Sequence, residues 1–349
     1  MKNKIMKNFL ILICLVAAFF VAAIDIYVDT DLETTYTNNV LKLSDHDLNR
    51  FESGEELDKF ELETTDDLIF SALIKVGFKN YFIDGHTQRN ELYFKYNSHL
   101  KNSFLDDGYL GYKFTQYLNR KINFELSYFY YPEIYVNRYS SELDNLNIYR
   151  DFTYSKNDYN AEVNWKAHSL LELTYRFGFS QLFYNKYFTE YDAVNFENRL
   201  TAELFPKAKI RTKISYRYKA SDADGKAAFA DPDAIDVIKN ASYEANTYSV
   251  SCSVPRLFSI GKRRFYFTAG IDYEQRYFTN DDEDDEYHFA RDDYTFSADA
   301  SLSFKLINKI NLKLSGKFQQ RNTDSPFSAV ERDKNYDLYE VGLRLGRDF

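Results

Sequence analysis

Residues 339–349 read YEVGLRLGRDF. Tyr339, Val341, Leu343 and Leu345 stand two residues apart, and Phe349 keeps their parity. Glu340, Gly342, Arg344, Gly346 and Asp348 fill the other parity. Side chains of a strand point alternately to opposite faces, whereas a helix repeats every 3.6 residues. This stretch is therefore a strand with one apolar and one polar face.

The same period runs along the chain. Ile26, Val28, Thr30 and Leu32 alternate with Tyr27, Asp29, Asp31 and Glu33. Ile122, Phe124, Leu126, Tyr128 and Tyr130 alternate with Lys121, Asn123, Glu125 and Ser127. Phe296, Ala298, Ala300, Leu302, Phe304 and Leu306 alternate with Ser297, Asp299, Ser301, Ser303 and Lys305. Helical patterning is weak, and 46–60 is the one modest candidate. The chain reads as all-β.

Connectors alternate in length. Short ones fall at 119–120, 167–169, around Pro206 and at 307–308, with a slightly longer one at 255–262. Longer polar segments lie at 137–148, 220–241, 280–291 and 322–335. Short and long in alternation place turns at one end of an up-and-down sheet and loops at the other. About fourteen strands are expected, within a range of roughly twelve to sixteen.

Lys2, Lys4 and Lys7 precede an apolar run from Phe9 to Val21, followed by Ala22 and Ala23. A basic, then apolar, then small-residue order is that of a secretory signal peptide over 1–23. The run is shorter than the ~20 residues of a spanning helix. Residues 24–349 then form one domain, in which Cys252 is the single cysteine and has no internal disulfide partner. The 31 Tyr and 31 Phe against 12 Gly and 5 Pro exclude a disordered or collagen-like chain. A mean hydropathy of −0.52 argues against a helical membrane protein but not against a barrel with a polar interior.

Alternating strands suit either a soluble sandwich or a barrel facing lipid. Globular strands usually run about 3–10 residues, and several alternations here hold for longer. Transmembrane strands need about 9–11 residues for the hydrocarbon alone. The expected fold is an antiparallel up-and-down transmembrane β-barrel. Residues 339–349 resemble the final strand of bacterial outer-membrane β-barrel proteins. Phe349 matches its terminal aromatic, Tyr339, Val341, Leu343 and Leu345 match its alternating apolar positions, and Arg347 departs from it. The stretch from Tyr36, YTNNVLKLSD, also looks like the first hairpin of such barrels. The resemblance implies an outer-membrane location in a diderm bacterium and a C-terminal signal read by the barrel-assembly machinery. Lipid and that machinery are the partners expected. No nucleic acid and no cofactor are expected.

Catalytic signals are sparse. None of His46, His86, His99, His168 and His288 sits in an H-E-x-x-H spacing, and no Ser–His motif of a membrane-surface hydrolase is found. His168 in a turn and His288 in an acidic loop read as solvated. The one arrangement suited to a protease is His288 near Asp292 and Asp293. The acidic run over 281–286 lacks the spaced EF-hand pattern and reads as a solvated loop tip. The expectation is no enzyme and no metal site.

Interior charges say more. If the apolar face meets lipid, Arg211, Lys213, Arg217 and Lys219 form a basic ladder inside, with Glu197, Arg199 and Glu203 on the preceding strand and Glu172 and Arg176 one further back. Such charges either pair across strands and fill the interior, or line a channel that steers an anionic solute. Both remain open. The first reading is a passive or weakly selective pore, narrowed by the 220–241 loop. The second is a structural, adhesive or export-assisting barrel with no open channel.

Overall fold

The computed structural model describes residues 25–55, 58–83, 85–140, 148–223, 240–261, 263–307 and 310–348. Fourteen strands follow one another: β1 Asp25–Thr37, β2 Asp67–Ile83, β3 His86–His99, β4 Asp107–Tyr117, β5 Ile122–Ser140, β6 Tyr149–His168 and β7 Leu171–Tyr184, then β8 Ala193–Leu204, β9 Arg211–Asp222, β10 Tyr243–Ile260, β11 Arg263–Phe278, β12 Asp292–Ile307, β13 Ile310–Asp324 and β14 Tyr336–Asp348. Each pairs antiparallel with its sequence neighbours, and β14 pairs with β1 to close the barrel. Two short helices lie among the described residues, α1 Asp45–Ser53 and α2 Ser328–Lys334. Residues 1–23 and Phe349 lie outside the described residues.

Closure leaves no open strand edge. At the seam Leu32 faces Leu345 and Tyr36 faces Val341. On the inner face Arg344 pairs with Asp31. A Cβ on the adjacent Gly346 would meet that same carboxylate, so a larger residue there would push Asp31 from its place beside Arg344.

Parity decides which face meets lipid. Leu32, Phe70, Leu126, Leu200, Ile214, Val250, Ile271, Leu314, Tyr339 and Val341 are all exposed on the outside. Tyr112, Tyr128, Tyr159, Phe179 and Phe196 occupy one register row across five strands of that surface. Amphipathic rings of this kind form the interfacial girdles of membrane barrels. In water such a surface would far exceed the few hundred Å² of apolar patch that soluble proteins tolerate. Lipid is its natural partner.

Turns and loops separate by end. The β2–β3, β4–β5, β6–β7, β8–β9, β10–β11 and β12–β13 connections are short and lie at the end where β1 begins and β14 finishes. Gly85 and Gly261 supply the positive φ (68° and 59°) that tight turns demand. In the β4–β5 turn the Asn119 side chain accepts from the amides of Lys121 and Ile122, at 2.7 and 2.9 Å. The expected connector at 255–262 is instead mostly strand: β10 continues to Ile260 through a bulge between Val254 and Phe258. A bulge admits extra residues without ending the ladder, and Pro255 donates no hydrogen bond there.

Of the described residues, the loop end carries 38–55, 58–66, 100–106, 148, 185–192, 223, 240–242, 279–291 and 325–335. The first of these contains α1. Ser44 caps it by accepting from the Asp47 amide, and Gly54 ends it at φ 75°. A small apolar core of Leu43, Phe60, Leu62 and Leu105 seats this segment, with Phe51, Phe104 and Tyr135 packed against it.

Cys252 checks the register of β10. Its side chain is exposed and flanked outside by Tyr248 and Val250, with Thr212 Oγ1 at 3.7 Å. In the membrane-folded barrel an apolar maleimide is expected to label Cys252 quickly and a charged thiol reagent slowly. Fast labelling by the charged reagent would mean a slip of one residue, which turns every side chain of the strand over.

Candidate functional site: the charged lumen

Inward parity gathers the charges predicted from sequence. Arg211, Lys213, Arg217 and Lys219 lie on β9; Glu197, Arg199 and Glu203 on β8; Glu172 and Arg176 on β7. Register places Arg176, Arg199 and Arg217 side by side on three successive strands. Strands run about 4.8 Å apart, and at ~5 Å two like charges repel by about 3 kcal/mol at an effective dielectric of ~20. Acids and hydroxyls must intervene, and they do.

Glu197 contacts Arg199 at 3.1 Å and Arg217 at 3.8 Å. Arg217 also donates to Glu274 on β11 at 2.8 Å, reaching over β10, and to Thr247 Oγ1 at 2.9 Å. Arg276 takes the other oxygen of Glu274 at 2.9 Å. Lys213 meets Glu203 at 3.3 Å, and Glu172 meets Lys166 at 3.9 Å. Lys219 donates to Tyr243 Oη, and Arg176 Nε donates to Asn160 at 3.0 Å. The buried Nε of Arg211 has no acceptor among the described residues. Within the basic ladder, Lys213 and Arg217 thus meet acids, from β8 on one side and β11 on the other. Glu274 and Thr247 are the partners that strand-by-strand reading missed, because one contact skips a strand.

Space remains between these side chains. Near the turns, a cavity of about 560 Å³ is walled by residues including Lys113, Glu125, Glu162 and Glu172. It shares Asn160 and Arg176 with a second of about 350 Å³. That one shares Arg199, Arg217, Glu274 and Arg276 with a third of about 610 Å³. Lys42, Arg321 and Tyr336 join the third to a fourth of about 220 Å³. Tyr139, Tyr287, Arg291 and Lys334 join the fourth to a fifth of about 270 Å³ at the loop end.

The loops that narrow this end are braced against one another. His46 on α1 lies 3.3 Å from Asp333 on α2. Lys59 contacts buried Asp47 at 2.8 Å. Lys334 packs over the rings of Tyr139 and Tyr287, and its ammonium is held below its usual pKa by burial and by neighbouring Arg291 and Arg321, against the opposing pull of Tyr139. Most of the 220–241 loop, residues 224–239, lies outside the described residues. Among those described, the 38–44 turn reaches into the lumen, where Lys42 lines the third cavity together with Arg199, Ser215 and Asp272.

His288 corrects the sequence reading. It is buried, not solvated, and its partner is Asp285 at 2.8 Å rather than Asp292 or Asp293. Asp285 also accepts from Asn280 at 2.7 Å and from the Asn240 amide at 3.1 Å. Asp293 is held by both arms of Arg291, at 2.9 and 2.7 Å. Asp285 is buried too, so the acidic run is not wholly a solvated tip; Asp281, Glu283, Asp284 and Glu286 are exposed. Among the described residues no three His, Cys, Asp or Glu gather as a metal site. Only a chain fold brings Phe278 and Tyr191 against the imidazole, so no local signal marked its burial.

Burial lowers the His288 pKa, the nearby Arg291 and Lys334 add to this, and Asp285 opposes it. The neutral ring is the folded form. The unfolded ring titrates near 6.5, so stability from this group is fully present above that pH and declines as pH falls through it. Amide hydrogen exchange over 280–290 should therefore quicken, relative to barrel strands, between pH 7.5 and 5.5. An unchanged ratio would show that protonation of His288 does not load the loop.

No protein-family model matches this chain, and no curated protein matches it. Solved structures similar to it include the outer membrane channel DcaP of Acinetobacter baumannii, 10% identical, with a TM-score of 0.47 over 93% of this chain and 96% of that one. A bacterial polysaccharide outer membrane secretin is 9% identical, with a TM-score of 0.46 over 92% and 98%. An anion-selective porin from Comamonas acidovorans is 7% identical, with a TM-score of 0.42 over 93% and 99%. The closed antiparallel order, apolar exterior and charged interior define a transmembrane β-barrel of the outer-membrane type.

Proposed function

We propose that this barrel is a narrow channel for small polar solutes. The observation that carries the reading is the string of cavities from the turn end to the loop end, each sharing wall residues with the next. Their walls are mainly charged or hydroxylated, which suits water and hydrophilic solutes. Narrow junctions, set by long side chains and by the 38–44 turn, suit slow passage rather than bulk flow. Catalysis is not part of this reading: His288 and Asp285 engage each other and loop groups, and Asp293 is occupied by Arg291.

A non-conducting barrel is the second reading. It is favoured by the packing at the loop end, where Phe152 meets Tyr184, Phe188 and Tyr191 at centroid distances of 4.8–5.0 Å. Purified protein in a planar lipid bilayer separates the two. The channel reading expects discrete conductance steps in 1 M KCl, smaller than those of a wide open porin. A folded, inserted barrel without steps would leave the second reading.

A further inference from the structure

We infer that the 610 Å³ cavity is a binding site for a small solute bearing phosphate or carboxylate groups, and that Lys42 completes it. The inference deepens the channel reading by naming the class of solute. Six cations line the cavity: Lys42, Arg199, Arg217, Arg276, Lys317 and Arg321. Three acids face them from the wall, Asp272, Glu274 and Asp299. Three more stand just outside it: Glu340 meets Lys317 at 3.3 Å, Glu197 meets Arg199 at 3.1 Å and Asp293 lies 4.0 Å from Arg321. Lys42 is left as the lining cation with no ion-pair partner among the described residues. Glu274 is already held between Arg217 and Arg276. Ser215, Ser249 and Ser297 on three nearby strands are small, which opens the space and leaves hydroxyls in it. The volume falls within the range of about 300–1,000 Å³ typical of small-molecule sites.

Two of the cavity's donors are left without a protein acceptor. The buried Nε of Arg276 has no hydrogen-bond partner among the described residues. No carboxylate among the described residues stands within 4.0 Å of the Lys42 ammonium. Lys42 lies inside the barrel with Lys317, Arg321 and Arg276 around it and Glu340 as the one acid whose field favours its charge, and its side chain keeps contact with the lumenal space. Like charges gathered this closely repel, and an anion seated among them would relieve the repulsion.

Its backbone is costly as well. Lys42 stands at φ 55°, a left-handed conformation where glycine or asparagine is the cheap choice. The surroundings impose it. Buried Asn39 donates to the carbonyls of Leu43 at 2.8 Å and of Asp337 at 3.2 Å, and accepts from the Leu43 amide at 2.8 Å. Leu43 is itself locked in the apolar core. Strain of this kind, held by its surroundings, is a feature of ligand sites. Here it delivers a charge. Oxyanions match arginine forks and ammonium donors alike, and the cavity offers both with hydroxyls between.

The test uses the full barrel, refolded in detergent at low ionic strength, and inorganic pyrophosphate as probe by titration calorimetry. Wild-type protein should bind it saturably. Lys42→Gly removes the charge and the strain together, so it should unfold no more easily than wild type while binding about tenfold more weakly. Lys121→Gln, at the turn end, should bind as wild type. No saturable binding by wild type, or equal binding by Lys42→Gly, overturns the inference. Because the readout is not current, a conducting barrel that ignores pyrophosphate rejects the site and leaves the channel. A barrel that binds but does not conduct keeps the site and rejects the channel.

Discussion

Val250→Arg is expected to cost the membrane-folded barrel about 2–4 kcal/mol, the penalty of a cation near the bilayer midplane on a barrel's lipid face. Ser249→Arg, one residue away, should cost less than about 1 kcal/mol, the range of ordinary solvated substitutions. Val250 sits near the middle of β10 and is exposed outward. Ser249 lines the 610 Å³ cavity with Asp272 directly across the ladder. An arginine there gains water and a carboxylate; at 250 it gains hydrocarbon. Reversible denaturant unfolding in lipid vesicles measures both. Equal costs would mean that the two faces of β10 see the same solvent, and the transmembrane assignment would fail.

That contrast rests on the feature most legible in the sequence. Period-2 alternation assigns a face to each residue without any knowledge of partners, which is why fourteen strands and their faces could be read directly. The bulge in β10 was not legible, since Pro255 and the break of parity after Val254 imitate a turn. Pairing across the lumen was legible only in part. Parity sends Arg217 inward, but its choice of Glu274 depends on side chains that reach over an intervening strand. The path of 38–44 was not legible at all. It is set by Asn39 reaching the backbone of Asp337, a contact across almost the whole chain. Likewise His288 is buried by rings from β11 and the 185–192 loop, which are distant in sequence, while the acidic run over 281–286 just before it reads as solvated.

Arg217 offers the sharpest test of whether the interior charges act on a solute. Each of its acids has another partner: Glu197 retains Arg199 at 3.1 Å, and Glu274 retains Arg276 at 2.9 Å. Neutralising Arg217 therefore strands neither carboxylate, and Arg217→Gln should fold. Arg217→Glu goes further and sets a third carboxylate between Glu197 and Glu274, turning a positive stretch of wall negative. Arg211→Glu makes the same change nearer the turns, where β9 lies opposite Ser253. In a conducting barrel both reversals should move the anion-to-cation permeability ratio toward cations by a factor of about three to ten, equivalent to about 0.7–1.4 kcal/mol. Arg217→Gln should move it less. The shift should shrink in 1 M salt, where the Debye length is only about 3 Å. Reversal potentials across a salt gradient report the ratio directly. A conducting barrel whose ratio ignores both reversals would show that these charges serve only the wall and that solutes pass without sensing them.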